Sequence, residues 1–269
     1  MAHLMNNAVW FGTENDMRWI PAPAANYTSQ NVRWRATDQL LNGGARIRQS
    51  VASHKNLSLS WPVQSQESLA PIVSYLGSGG PFYYLDPINA QSNALPYYWS
   101  APGAVPDGPP LIDDVDIEYS TASSTNPMSY PQAYATYAVP SGGKVTNAII
   151  PVPDGYSLYL GYHGTGTGIA VGAQTAAAIP VTSAQRTNLV VSGPTLAQVR
   201  LLAGSHTIHG IIAQVLPDGQ VPDPGGFLPG VGHSQLALAN DPTITSYSAY
   251  LPNAQTGIAA DFVEVGAWS

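Results

Sequence analysis

The chain has 269 residues, of which 44% are hydrophobic and only 9% charged, with 26 glycines, 24 prolines and no cysteine. An average soluble protein carries about 25% charged residues, so this composition excludes a disordered chain and speaks for many short strands and turns. The absent cysteines exclude disulfide frameworks and thiolate metal sites, and a net charge of −7 with a pI near 5.1 does not imply wholesale nucleic-acid binding.

In chain order, residues 8–23 open with Val9, Trp10 and Phe11, then a Gly-Thr-Glu-Asn turn, then Met17, Arg18, Trp19 and Ile20. This is strand–turn–strand chemistry. Residues 31–37 alternate Val32, Trp34 and Ala36 against Arg33 and Arg35, and 45–51 set Arg46 and Arg48 against Ile47. Asn42-Gly43-Gly44 between them is a hairpin turn signal. Residues 54–63 follow as a further half-buried strand through Leu57, Leu59 and Trp61.

Residues 65–80 carry the one good helix pattern, with Leu69, Ile72, Val73 and Leu76 on one stripe and glycines at the end. Pro71 suits only a first turn, which favours Ser68 as the cap. Residues 81–100 concentrate aromatics: Phe82, Tyr83, Tyr84, Tyr97, Tyr98 and Trp99 flank a polar loop at 89–94. Two readings stand, a buried aromatic layer with its hydroxyls at the rim, or an aromatic surface that another subunit covers.

Residues 111–119 read as a strand with an acidic face, and the Ser/Thr/Pro/Tyr-rich stretch after it places a domain boundary near residue 135. Candidate strands then fall at 145–152, 156–162, 169–172, 188–192, 198–202, 207–215, 235–238, 245–250 and 258–265, separated by Pro-Asp-Gly and Pro-Gly-Gly turns. The expected fold is all-β with one short helix. It comprises two β-sandwich domains, residues 1–135 and 136–269, the second of jelly-roll type.

Six of the nine basic residues lie within 18–55, and Arg33, Arg35, Arg46 and Arg48 are expected on one face of the hairpin. A solvated sheet face and a charged interface both account for them. In the interface reading they meet Asp113, Asp114, Asp116 and Glu118 of the same or a neighbouring subunit, which fixes docking register more than affinity. Tyr83, Tyr97, Tyr98 and Trp99 complete the interface candidates.

Catalytic and metal signatures are weak throughout. Asp113-Asp114-Val115-Asp116 lacks the glycine and distant glutamate of a calcium loop. His206 and His209, three apart in a strand, face opposite sides and do not share a metal. GYHGTGTG, residues 161–168, lacks the Lys-Ser/Thr of a phosphate loop and opens no helix. No acid/base pair for hydrolysis emerges, so no enzymatic activity, cofactor or metal is expected.

The phrases VWFGTENDMRWIPAP, HKNLSLSWPV and PFYYLDPINAQSNALPYYWSAP resemble minor tail proteins of long-tailed phages that infect actinobacteria. IIPVPDGYSLYLGYHGTGTG, GIIAQVLPDG, GGFLPGVGHSQLAL and AADFVEVGAW resemble the C-terminal part of the same group. Size and two-part layout are most similar to the distal tail protein family. That resemblance implies a homo-oligomeric ring at the distal end of the phage tail, usually hexameric, with a trimer also open. It implies an N-terminal ring domain, an outward C-terminal sandwich often of carbohydrate-module-like fold, and the tail tube and other baseplate proteins as partners. Neither membrane nor specific nucleic acid is implied. The motifs are structural phrases, so no catalytic or sugar-binding residue is carried over. The competing expectation is a carbohydrate-binding adhesion module contacting the host cell wall, with Tyr156, Tyr159, Tyr162, Phe227, Tyr247 and Tyr250 as its candidate platform.

Overall fold

Alternation of apolar and polar residues sets most of the architecture seen in the computed structural model, which describes residues 8–24, 28–39, 45–121, 130–171, 188–222, 225–248 and 255–265. Sixteen strands and three short helices are described, so the protein is all-β. The first sheet runs β2 (Asp16–Pro21), β1 (Ala8–Thr13), β5 (Phe82–Leu85), β14 (Gln235–Leu238), β16 (Gln255–Val265), β4 (Ala45–Ser65) and β3 (Thr28–Gln39). A further strand, β15 (Thr243–Ser248), also pairs with β16.

Two smaller sheets account for the other strands among the described residues. One is β10 (Ile169–Val171), β12 (Thr195–Leu201) and β8 (Lys144–Val152). The other is β11 (Asn188–Ser192), β9 (Tyr156–Thr165), β13 (Gly204–Pro217), β7 (Tyr134–Val139) and β6 (Ile117–Ser120). Ile150, Val199 and Leu201 from the three-stranded sheet share one buried cluster with Leu158, Ile211 and Val215 from the five-stranded sheet. The two sheets therefore form a sandwich over a common core.

A division at residue 135 is not what the strand pairing shows. β14 and β16 lie in the first sheet between β5 and β4, so the C-terminal strands complete the N-terminal sheet. β6 and β7 pair across the expected boundary. The sandwich is thus an insertion between two neighbouring strands, β5 and β14, of one sheet. The two parts also share a core, because Trp10, Leu85 and Trp99 belong to the same buried cluster as the sandwich residues. A second cluster lies under the first sheet, where Phe11, Phe82 and Phe262 meet with centroids 5.7–5.9 Å apart.

α1 (Gln66–Gly77) covers that second cluster with Leu69, Ile72, Tyr75 and Leu76. Its cap is Ser65, whose hydroxyl accepts from the Ser68 backbone N–H and bonds the Ser68 hydroxyl at 2.6 Å. Ser68 is therefore inside the first turn and Pro71 is the sixth helical residue, where it removes a single ladder bond to the Glu67 carbonyl. Among the described residues no helix is long and apolar enough to cross a membrane.

The polar loop expected at 89–94 is helical. Asp86-Pro87 starts α2 (Pro87–Asn93), with proline at the first helical position and the Asp86 carboxylate accepting from Asn89 Nδ2 at 3.3 Å. α3 (Tyr97–Ser100) follows after Pro96.

Candidate functional site

The hairpin that carries the arginines is the most unusual element of the fold. β3 pairs only with β4, from Thr28↔Ser58 to Gln39↔Ala45. β4 pairs with β16 only over Asn56 to Ser65. Positions 31–39 and 45–55 therefore form a ribbon with no third strand among the described residues. At 3.3 Å per residue the ribbon is roughly 30 Å long. Its turn, including Gly43 and Gly44, lies outside the described residues.

The register does not keep the four arginines together. Arg48 pairs with Ala36 and Arg46 with Asp38, whereas Arg35 pairs with Gln49, one step out of phase. In a pleated ladder that places position 35 on the opposite face from positions 46 and 48. A bulge between Arg33 and Arg35 breaks the row again. The side chains of Arg33, Arg35, Arg46 and Arg48 lie outside the described residues.

The acidic stretch is strand only from Ile117 onward, and it is held by its own chain. Lys144 Nζ donates to the Asp113 carbonyl at 2.6 Å and to Asp114 Oδ2 at 3.3 Å. Asn147 Nδ2 donates to Asp113 Oδ2 at 3.0 Å and to the Pro110 carbonyl at 3.1 Å. Leu111 and Ile112 are buried in the sandwich core. The segment is a strap along the edge strand β8. Asp114, Asp116 and Glu118 remain exposed, and Asp114 adopts φ 51°.

The aromatic stretch resolves to the buried reading. Tyr83, Tyr98 and Trp99 are core residues, and of the four aromatic interface candidates only Tyr97 is exposed. An outward aromatic surface at 81–100 is excluded because Tyr98 and Trp99 join the sandwich core while Phe82 and Tyr84 join the cluster under the first sheet. Trp99 Nε1 donates to the Pro110 carbonyl at 3.2 Å, and Gln235 Nε2 donates to the Tyr83 hydroxyl at 2.9 Å. The glycan-platform candidates disperse too. Tyr156, Tyr159 and Tyr162 are buried, Tyr247 is exposed and Tyr250 lies outside the described residues.

Sequence reasoning missed the two buried polar centres that brace the fold. Asn93 is fully buried at the end of α2. Its Nδ2 donates to the carbonyls of Ile211 at 3.1 Å and Leu228 at 2.8 Å, and its Oδ1 accepts from the N–H groups of Leu95 and Ala213. One amide thus joins α2, β13 and the strap at 225–234 that returns the chain to the first sheet. The second centre is Glu264, at the root of the ribbon. β16 stops pairing with β4 at Val263↔Asn56. The Glu264 carboxylate then takes the next ladder bond itself, accepting from Lys55 N at 3.1 Å and from Ser234 N at 3.2 Å. Lys55 Nζ donates to the Gly232 carbonyl at 2.8 Å. His233 Nδ1 stands 3.5 Å from Glu264 Oε1. Burial pushes the Lys55 ammonium below its ordinary pKa, and the nearby Glu264 charge offsets part of that.

Replacing Glu264 by alanine is expected to lower unfolding stability by about 2–4 kcal/mol, because two buried backbone donors lose their acceptor. Urea unfolding checks this; a loss within error of zero contradicts the bracing role.

Histidines occupy a third cluster, on the outer face of the five-stranded sheet. His206 is buried on the core side, with Nε2 donating to the Leu202 carbonyl at 2.6 Å. His209 points the other way, as expected, and its Nδ1 donates to the Pro131 carbonyl at 3.0 Å. The β13–β9 register slips between Ile208↔Gly164 and Gly210↔His163, so His209 is the extra residue of a bulge beside His163. The two rings lie 5.1 Å apart, between Tyr134 and Tyr130. Among the described residues no group of three or more His, Asp and Glu is placed to hold a metal ion.

Burial, and for His163 also the neighbouring His209, lowers the pKa of His163 and His206 below 6.5. As pH falls through 6.5 the unfolded chain takes up these protons first, so stability declines, then levels off below the folded pKa values. Unfolding free energy is expected to drop from about pH 7.5 to about pH 5.5, and to drop less in His163→Asn. Equal drops in the two proteins contradict the assignment.

Comparisons with family models, curated proteins and solved structures return no match for this chain.

Proposed function

We propose that this protein is a structural component of a phage tail tip, forming a ring of identical copies that joins the tail tube to the baseplate and positions host-recognition parts. The observation that carries the reading is the ribbon at 31–39 and 45–55. A two-stranded ribbon with no third strand is marginal in water by itself. Among the described residues neither of its outer edges pairs with a further strand, and such an edge is ready to pair with another chain. A neighbouring copy supplies that surface, and a head-to-tail contact of this kind closes into a ring when its rotation permits. The sparse charge of the chain weakens self-repulsion and favours the same outcome. The resemblance of its sequence phrases to minor tail proteins is what suggests the location.

Immunogold labelling of long-tailed particles that carry the chain tests the location. Gold is expected at the distal tail end; gold on the capsid, or none on intact particles, overturns the reading. The adhesion-module alternative gains no observation, since its aromatic platform is largely buried.

A further inference from the structure

A pair of imidazoles with free nitrogens is set beside the outer face of the sandwich, and nothing in the ring-forming reading uses it. The bulge at His209 is what creates the pair. In an unbroken ladder a single residue opposes His163; here both His209 and Gly210 do. Bulges re-aim a side chain at the cost of one ladder bond. Gly210 is closely covered, since an added Cβ would meet the rings of Tyr130 and Phe227 at 2.7 and 2.9 Å. Gly210 lets these rings close over the histidines.

The hydrogen bonding fixes the tautomer of one ring. A carbonyl only accepts, so the bond from His209 Nδ1 to Pro131 O places the proton on Nδ1. Nε2 is then left with its lone pair. This is the way metal-binding histidines are held, with one nitrogen tied to a backbone carbonyl and the other available. Among the described residues Nε2 of His209 and both nitrogens of His163 have no hydrogen-bond partner, and none of the three is sealed from solvent.

The spacing fits a shared ion. With metal–nitrogen bonds of about 2.0–2.1 Å and a tetrahedral angle, two coordinated imidazoles have centroids roughly 5 Å apart; here they are 5.1 Å apart. Imidazole nitrogen selects divalent transition ions such as Zn²⁺ over Ca²⁺ or Mg²⁺. No nearby carboxylate completes the set among the described residues, so water fills the remaining positions.

We propose that His163 and His209 form a two-histidine site for a divalent transition-metal ion, which clamps β9 to the bulge of β13 beneath Tyr130 and Tyr134. Bound metal raises the stability of the folded chain, because the unfolded chain does not hold the two rings together.

Zinc titration of the full chain by calorimetry, paired with thermal unfolding with and without zinc, tests the site. His163→Asn, a change at a half-exposed position, and His209→Asn are the variants. The wild type is expected to bind one Zn²⁺ that each variant binds at least tenfold more weakly, and zinc is expected to raise the wild-type Tm only. Should His209→Asn fail to fold, His163→Asn decides the matter alone, its fold being checked by its zinc-free Tm. Wild-type zinc affinity retained in His163→Asn overturns the proposal, as does a wild type that binds no zinc.

Discussion

Replacing Asn93 by aspartate, a change of one NH₂ for one oxygen, is expected to cost roughly 3–5 kcal/mol of unfolding stability. The retained oxygen still accepts from Leu95 N and Ala213 N. The new one faces the carbonyls of Ile211 and Leu228, which have lost their donor and now oppose a buried charge. The site cannot open to relieve this. Gly232 N donates to the Leu95 carbonyl and Val231 N to the Asn93 carbonyl, holding the strap against the end of α2. A Cβ at Gly232 collides with the Ala94 carbonyl, so only glycine permits that approach. The aspartate is favoured in its protonated form, which restores one donor, so the deficit shrinks as pH falls. Urea unfolding at two pH values measures both parts. A loss under about 1 kcal/mol contradicts the bracing role of Asn93.

The second large effect concerns assembly. If copies join through the ribbon as proposed, removing residues 32–53 and closing the ribbon with a short turn is expected to leave a monomer. The core should survive this change. Among the described residues those removed pair with one another, apart from Val32, which pairs with His54, and β4 keeps its ladder to β16 over Asn56 to Ser65. Lys55 and its bond to Glu264 also remain. Light scattering is expected to report one chain, with a Tm near that of the full protein. An unchanged oligomer shows that the ribbon is not the joining element. A collapse of Tm with no change of mass assigns it to the fold instead.

Local periodicity made individual strands legible, and long-range pairing hid the way they combine. β8, β9, β13 and β16 follow from alternation or from apolar-rich runs such as Ile208 to Leu216. β7 went unread because Tyr134 to Val139 sits in a Ser/Thr/Pro-rich context that mimics a linker. The insertion was illegible for a different reason. β5 meets β14 through Leu236↔Phe82, residues more than 150 apart, and no local pattern encodes that choice.

Punctuation misled in two places. Asp86-Pro87 reads as a break but starts a helix, because proline at the first helical position lacks only an N–H that has no partner there. The aromatic run at 81–100 reads as core or as covered surface, and what buries it, the first sheet for Phe82 and Tyr84 and the sandwich for Tyr98 and Trp99, is assembled from distant parts of the chain. The candidate site was legible in part. The hairpin of β3 and β4 was expected from its turn residues, yet a two-residue register shift between Arg33 and Arg35 and the phase of Arg46 and Arg48 removed the single arginine face. A one-residue slip between β13 and β9 made the His163–His209 pair, which spacing alone had no means to show.

The claim on which the functional account rests is that copies of this chain join one another. Native mass spectrometry of the purified full chain at high concentration tests it most directly. A closed multiple of 28.3 kDa is predicted, with six copies the expected order and three also consistent. A single species at 28.3 kDa, unchanged on raising the concentration, contradicts it.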